Sequence, residues 1–134
     1  MSGALIDGHD AALFDLDGVV YLGPHPVPAA PDTIAELRRR GVKVGFVTNN
    51  AARSAEVVAQ HLTDIGIPTE ASDVVTSAQA ITDLAAEQLS AGAKVLIIGT
   101  ESLRVEARSR GLVTVESAQD DPVAVIQGYD PHID

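Results

Sequence analysis

Hydrophobic positions along the chain follow two periods, and together they predict strands that alternate with helices. Short apolar runs bounded by turn residues are typical of strands in a parallel sheet. They begin with the run from Ala11 and continue at residues 43–47, 73–75, 94–98, 113–115 and 123–126. Between them, apolar residues three or four positions apart predict helices at about residues 31–40, 54–65, 77–89 and 101–110. This alternation indicates a parallel, right-handed α/β arrangement.

Turn and cap residues place several boundaries within this pattern. Proline and glycine are too dense for a helix in residues 20–28, which predicts a shaped loop or a small hairpin. Glycines at positions 41, 66 and 111 are predicted to end helices. Ser77 is predicted to cap the third helix, with Ile81 and Leu84 on its apolar face.

The run from Ala11 ends in two aspartates one residue apart, Asp15 and Asp17, and Gly18 follows them. Side chains alternate along a strand, so both carboxylates point to one side while Leu16 points to the other. Two carboxylates side by side repel each other, and a hard divalent cation with oxygen ligands offsets that repulsion. Because ligands bind at the carboxyl ends of strands in open α/β sheets, the pattern predicts a metal site beside a carboxylate nucleophile.

The second strand runs into three more polar residues, Thr48, Asn49 and Asn50. Neighbouring parallel strands would place them on the same rim as Asp15 and Asp17. A carboxylate can attack phosphorus, a hydroxyl and turn amides can hold phosphate oxygens, and a second carboxylate can transfer protons. The pattern therefore indicates phosphoryl transfer, while ordinary turn and capping chemistry stays the alternative for both groups.

Composition narrows the classes of function. The 134-residue chain has 19 acidic against 9 basic side chains, a net charge of -10 that argues against nonspecific nucleic-acid binding. It has no cysteine, which excludes disulfides, thiolate metal sites and a cysteine nucleophile. It has no long apolar run, and residues 1–10 lack the features of a secretory signal, so we expect a cytoplasmic protein without a membrane partner. The four histidines, at positions 9, 25, 61 and 132, lack metal-ligand spacing and are expected to face solvent.

Two motifs resemble the signatures of a known superfamily. Phe14-Asp15-Leu16-Asp17-Gly18-Val19 resembles the first signature of the haloacid-dehalogenase superfamily, and Val47-Thr48-Asn49-Asn50 resembles the second. Residues 20–28 lie where that superfamily has its flap. The Gly-Val-Val-Tyr continuation and the double Asn are similar to the capped subgroup of para-nitrophenyl phosphate, phosphoglycolate, pyridoxal phosphate and glycerol phosphate phosphatases. Segments 94–101 and 128–131 resemble parts of that subgroup's cap.

This resemblance implies a fold and an activity. The implied fold is a doubly wound parallel sheet, the haloacid-dehalogenase-like core, followed by the beginning of an α/β cap. Residues 1–80 would form the N-terminal part of the core, and residues 81–134 the first part of the cap. The implied activity is magnesium-dependent hydrolysis of a small phosphomonoester through an aspartyl-phosphate intermediate. The expected partner is a small phosphorylated metabolite, and the subgroup's habit of pairing through the cap implies a homodimer.

The resemblance also assigns roles to the motif residues. Asp15 would be the nucleophile and a magnesium ligand. Asp17 would be the general acid and base, and its backbone carbonyl would be a second ligand. The phosphate would be bound by residues of both motifs: Gly18, Thr48, Asn49 and Asn50.

Part of the superfamily's site has no counterpart in this sequence. The superfamily also uses a lysine that steadies the phosphate and a downstream acidic pair that completes the magnesium site. The chain's lysines, Lys43 and Lys94, come at the starts of predicted strands, the opposite end from the aspartates. We therefore expect the 134-residue chain to be inactive, or nearly so, unless the rest of a longer protein is supplied.

Two other functions share parts of this pattern. A receiver-like signalling module is also doubly wound and has an acidic pair near its first strand. It accepts phosphate on an aspartate after the third strand, where this chain has Val75-Thr76-Ser77. A phosphotransferase of the same superfamily would protect the aspartyl-phosphate from water, a property that the sequence does not decide.

Overall fold

The computed structural model describes residues 3–132, in which strands and helices alternate as the hydrophobic pattern predicts. The strands are β1 (Ala11–Asp15), β2 (Tyr21–Leu22), β3 (His25–Pro26), β4 (Lys43–Thr48), β5 (Val74–Thr76), β6 (Lys94–Ile98), β7 (Val113–Val115) and β8 (Ala124–Gln127). The helices are α1 (Ala30–Arg39), α2 (Ala55–Asp64), α3 (Ser77–Gln88) and α4 (Glu101–Ser109), with 3-10 turns at Leu5–Gly8, Ala71–Asp73 and Ala118–Asp120.

The chain divides into two compact units. One comprises the residues up to 48 together with 55–75, and the other comprises residues 49–54 together with those from 76 onward. The sequence-based boundary between a core and a cap at residue 80 is a separate matter and stays a prediction. Within residues 3–132, no helix is both long and apolar enough to cross a membrane.

The first unit is built on a sheet with the strand order β1-β4-β5. β1 and β4 are parallel, with Ala11 opposite Lys43 and Asp15 opposite Val47. One face carries the apolar core, where Phe46 packs with buried side chains of α1 and α2, among them Ile34 and Leu62.

The other face of this sheet is exposed within the described residues. Leu13 on β1 is 75% exposed, Val47 on β4 is 43% exposed and Val75 on β5 is 48% exposed. The prediction that the run from Ala11 is buried is therefore correct for one face and wrong for the other. The error arises because an apolar run shows that a strand is suited to burial but does not show which segment covers it.

A two-stranded hairpin follows β1, as predicted for residues 20–28. β2 and β3 are antiparallel, with Tyr21 opposite Pro26. The ring of His61 on α2 meets the ring of Tyr21 edge-on at 4.7 Å, and its Nε2 lies 3.0 Å from the carbonyl oxygen of Gly23. The expectation that every histidine simply faces solvent is thus wrong for His61, which is half-buried against the hairpin.

The second unit has its own parallel sheet, with the strand order β7-β6-β8. Its core contains buried residues of both sheet and helices: Ala51, Ala78, Val95, Ile97, Leu103, Ala107, Leu112 and Ile126. Arg110, just after α4, donates a hydrogen bond of 2.6 Å to Asp83 on α3, and this bond raises the pKa of the guanidinium. The ion pair therefore ties the two helices of the unit together at their surface.

The third helix differs from its prediction in its cap and in its buried face. Thr76, not Ser77, is the N-cap, and its hydroxyl accepts a hydrogen bond from the backbone N–H of Gln79. Ile81 and Leu84 are 39% and 47% exposed, whereas the helix buries the small residues Ala78 and Thr82. Small side chains allow a helix to approach its neighbours closely, and hydropathy alone does not identify such a face.

Candidate active site

The carboxyl ends of β1 and β4 bring two of the predicted site residues to the same edge of the first sheet. Asp15 is the last residue of β1 and is paired with Val47, so Thr48 follows at the end of β4. Asp15 is exposed, whereas Thr48 is 2% exposed. The parallel register therefore places a carboxylate beside the end of the strand that carries the hydroxyl, as the sequence predicts.

A tight turn after β1 fixes the second carboxylate. The carbonyl oxygen of Leu16, a fully buried residue, accepts hydrogen bonds from the N–H groups of Val19, Val20 and Tyr21 at 2.9–3.2 Å. The N–H of Gly18 donates to the carbonyl of Tyr21 at 2.8 Å. Gly18 has a φ of +80°, a conformation that costs glycine little and other residues much more.

The burial pattern of this segment agrees with the predicted alternation of side chains. Asp15 and Asp17 are exposed and Leu16 between them is fully buried. The backbone N–H of Leu16 donates to Oδ1 of Asp15 at 2.9 Å, which orients that carboxylate. Within residues 3–132, neither aspartate forms an ion pair with a basic side chain. The turn thus presents two anionic groups to solvent.

These oxygens suit a magnesium ion in their chemistry but complete only part of its coordination. Magnesium prefers oxygen ligands, keeps several waters and is usually held by one or two carboxylates together with substrate phosphates. Asp15 and Asp17 provide groups of that kind. Within the part of the chain that the structure describes, His, Asp and Glu side chains form no cluster of three or more that could hold a metal.

The remaining predicted residues, Asn49 and Asn50, belong to the second unit. The hydroxyl of Ser77 donates to the carbonyl oxygen of Asn49 at 2.9 Å. Oδ1 of Asn50 accepts from the N–H of Ala52 at 2.8 Å, which forms a compact Asx turn. The ordinary turn chemistry considered for these asparagines is therefore present for the Asn50 side chain.

Asn49 also lines a cavity of about 540 Å³ within the second unit. Its wall carries neutral polar and apolar residues: Asn49, Ala51, Ser77, Ile81, Leu103, Gln127, Gly128 and Tyr129. Sequence reasoning singled out Asn49 from this set and did not assign Ser77 to it. The contact between them spans 28 positions, so nothing local in the sequence indicates it.

The structure also places the residues on which the alternatives depend. Lys43 and Lys94 are the first residues of β4 and β6, as predicted, and Nζ of Lys94 donates to the carbonyl of Asp120 at 3.1 Å. β5 ends at Thr76, and α3 begins directly at Ser77. The aspartate that a receiver-like module needs after its third strand is absent from this position.

Comparison with known proteins identifies the family. The family model described as haloacid dehalogenase-like hydrolase matches residues 12–113, which include both motifs. The chain belongs to this family. The sequence-based assignment to the haloacid-dehalogenase superfamily, with its α/β fold, is thereby confirmed.

Relatives within the haloacid dehalogenase-like family include named phosphatases. The chain is 48% identical over 120 residues to D-glycerol 3-phosphate phosphatase of Mycobacterium tuberculosis, an alignment that covers 90% of this chain and 33% of that protein. It is 31% identical over 154 residues to human glycerol-3-phosphate phosphatase, covering 96% of this chain and 48% of the human protein. The chain thus spans a third to a half of the length of these relatives.

A solved structure supports the same assignment. The crystal structure of glycerol phosphate phosphatase from Mycobacterium tuberculosis in complex with magnesium matches with a TM-score of 0.88 and 44% sequence identity. The match covers 94% of this chain and 37% of that structure. The haloacid dehalogenase-like fold of the chain is therefore supported by both sequence and backbone geometry.

Proposed function

We propose that the whole protein is a magnesium-dependent phosphatase that hydrolyses a small phosphomonoester, with Asp15 as its nucleophile. The observation that carries this proposal is the pair of exposed carboxylates, Asp15 and Asp17, held by a tight turn at the carboxyl end of β1. Thr48 ends the neighbouring parallel strand. The phosphatase names of the relatives in this family support the same reaction.

In the proposed reaction, a carboxylate oxygen of Asp15 attacks phosphorus and the bond from phosphorus to the substrate's alcohol oxygen breaks. Oδ1 accepts the N–H of Leu16, so we assign the attack to Oδ2. Asp17 gives its proton to the leaving alcohol oxygen. Asp17 then takes a proton from water as that water attacks phosphorus, and the aspartyl-phosphate bond breaks. Inorganic phosphate leaves, and both carboxylates return to their starting states.

We propose that the Asp15 carboxylate and the backbone carbonyl of Asp17 hold magnesium. The bound ion would neutralise charge on the phosphate oxygens. The hydroxyl of Thr48 and the backbone at Gly18, Asn49 and Asn50 would bind the phosphate, as the family resemblance implies. The structure of the mycobacterial relative in complex with magnesium supports this choice of ion.

We propose a small phosphorylated metabolite as the substrate, and glycerol 3-phosphate as the first compound to test because two relatives carry that name. The net charge of -10 opposes the approach of an anionic substrate, so local cations and amides must bind it at short range. The homodimer through the cap and the cytoplasmic location stay predictions from the sequence.

The test is magnesium-dependent phosphate release from para-nitrophenyl phosphate and glycerol 3-phosphate. It uses the 134-residue chain and a polypeptide of the relatives' full length that contains it. We expect release only from the longer polypeptide, abolished by Asp15→Asn and retained by Asp10→Asn. Asp10 is the matched control because it is exposed and immediately precedes β1, at the opposite end of the strand. Release that survives Asp15→Asn would contradict the assignment of the nucleophile.

A further inference from the structure

The segment after β4, residues 49–54, is held in the second unit by contacts that the Thr-Asn-Asn motif does not predict. We call it the post-β4 loop. The hydroxyl of Ser77 donates to the carbonyl of Asn49 at 2.9 Å, and the hydroxyl of Thr100 donates to the carbonyl of Ala51 at 3.3 Å. Two carbonyls of the loop are thus held by hydroxyls from the starts of two different helices.

Ser77 makes its contact from a fixed position. The preceding residue, Thr76, caps α3 by accepting the N–H of Gln79, while Oε1 of Gln79 accepts the N–H of Thr76. Because this reciprocal capping box already serves the helix start, the hydroxyl of Ser77 is not the cap. Its printed hydrogen bond goes to Asn49 instead.

The contact controls the orientation of one peptide group. The structure contains no cis peptide bond among the described residues. In a planar trans peptide the C=O and the following N–H point in opposite directions. A hydrogen bond to the carbonyl of Asn49 therefore sets the direction of the N–H of Asn50 and restricts rotation about the Cα–C bond of Asn49.

Packing holds the loop against the same unit. Ala51 is 7% exposed and belongs to the apolar core of the second unit. A Cβ on Gly128 would lie 3.2 Å from Cβ of Ala51 and 3.0 Å from Cδ2 of Leu103, closer than ordinary contact. The backbone of Gly128 therefore comes close to Ala51, and the loop has little room to shift on this side.

We propose that Ser77 is a positioning residue for phosphate binding, acting through its hydrogen bond to the carbonyl of Asn49. It orients the peptide between Asn49 and Asn50 and does not itself contact the phosphate. This inference rests on the proposed phosphatase function, in which the two asparagines belong to the phosphate-binding motif.

The test compares three variants in the full-length polypeptide. Ser77→Ala removes the hydroxyl, and Ser77→Thr keeps one. Ser109→Ala is the matched control, because the Ser109 hydroxyl also donates to a backbone carbonyl, that of Glu106, but within α4. The measurements are the inhibition constant of inorganic phosphate, KM and kcat for the phosphomonoester, and the urea midpoint of unfolding.

We expect Ser77→Ala to raise the inhibition constant of inorganic phosphate and KM by about three- to tenfold, the range of one lost hydrogen bond. Ser77→Thr should restore both constants to within about twofold of the wild type, well inside the effect of losing the bond. Ser109→Ala should leave both constants unchanged. A purely structural role would lower the urea midpoint of Ser77→Ala without weakening phosphate binding.

Unchanged phosphate inhibition and KM in an active Ser77→Ala variant would overturn the proposal. An equal change in Ser109→Ala would also overturn it. If the wild type neither releases nor binds phosphate, the proposed function itself fails. The amide NMR resonances of the ligand-free protein then judge the orienting contact: changes confined to the post-β4 loop in Ser77→Ala support it, and an unchanged spectrum refutes it.

Discussion

A single added methyl group at Gly128 should destabilise the second unit, because two neighbours have no room to give way. The Cβ of Gly128→Ala would lie 3.0 Å from Cδ2 of Leu103 and 3.2 Å from Cβ of Ala51. Favourable carbon contacts lie at about 3.5–4.0 Å, so the neighbours would have to move by several tenths of an ångström. Leu103 is 1% exposed, and its Cδ2 is also 3.0 Å from the point where a Cβ on Gly99 would lie.

The magnitude follows from two opposing terms. Overpacking of a close-packed core costs about 1–3 kcal/mol. Replacing glycine with alanine recovers about 0.4–1 kcal/mol by restricting the unfolded chain. We therefore expect Gly128→Ala to lower the free energy of unfolding by about 1–2 kcal/mol.

Gly45→Ala is the matched control, with a closer contact and a smaller expected effect. Its Cβ would lie 2.9 Å from Cδ2 of Leu13, but Leu13 is 75% exposed and its side chain can rotate away. We expect Gly45→Ala to be neutral or stabilising by up to about 1 kcal/mol.

The assay is urea unfolding of the 134-residue chain and both variants, with the midpoints compared at an unchanged slope. The reasoning is refuted if Gly128→Ala is as stable as the wild type. It is equally refuted if Gly45→Ala is destabilised as much as Gly128→Ala, since the exposure of the neighbour would then not decide the outcome.

Three further predictions test the capping of α3, the acid and base, and the hairpin. Thr76→Ala should lower stability by about 1 kcal/mol in urea unfolding through loss of the α3 cap, whereas Ser117→Ala, at a short 3-10 turn, should have a smaller effect. Asp17→Asn in the full-length polypeptide should lower kcat about 10²–10⁴-fold in the phosphate-release assay, and wild-type kcat would contradict its proton-transfer role. His61→Ala should cost about 0.5–1.5 kcal/mol and speed amide hydrogen exchange in the hairpin, because it removes the edge-on contact with Tyr21; unchanged exchange would refute this.

The sequence predicts the order of elements and the ends of the two motif strands well, because both depend on neighbouring residues. Asp15 and Thr48 lie at the ends of β1 and β4, as the apolar runs before them indicate. Glycines end the helices at the predicted positions with positive φ angles. These features follow from local hydropathy and backbone conformation.

Features that depend on distant contacts are the ones that sequence reasoning missed. The buried face of α3 is the small-residue stripe of Ala78 and Thr82, which is weaker in hydropathy than Ile81 and Leu84. The Ser77 hydroxyl was expected to cap its own helix but contacts a backbone carbonyl 28 positions earlier. Neither property is encoded in the residues adjacent to α3, since each depends on which part of the fold packs there.

The post-β4 loop also has a consequence for the order in which the protein becomes ordered during synthesis. The partners of the loop are made long after it: Ser77 follows Asn49 by 28 positions, and Thr100 follows Ala51 by 49. A ribosome that has just released β4 has not yet produced either hydroxyl. Contacts of such long range form late because chain closure must precede them. The second motif should therefore reach its final conformation after the first, when the nascent chain has extended well beyond α3.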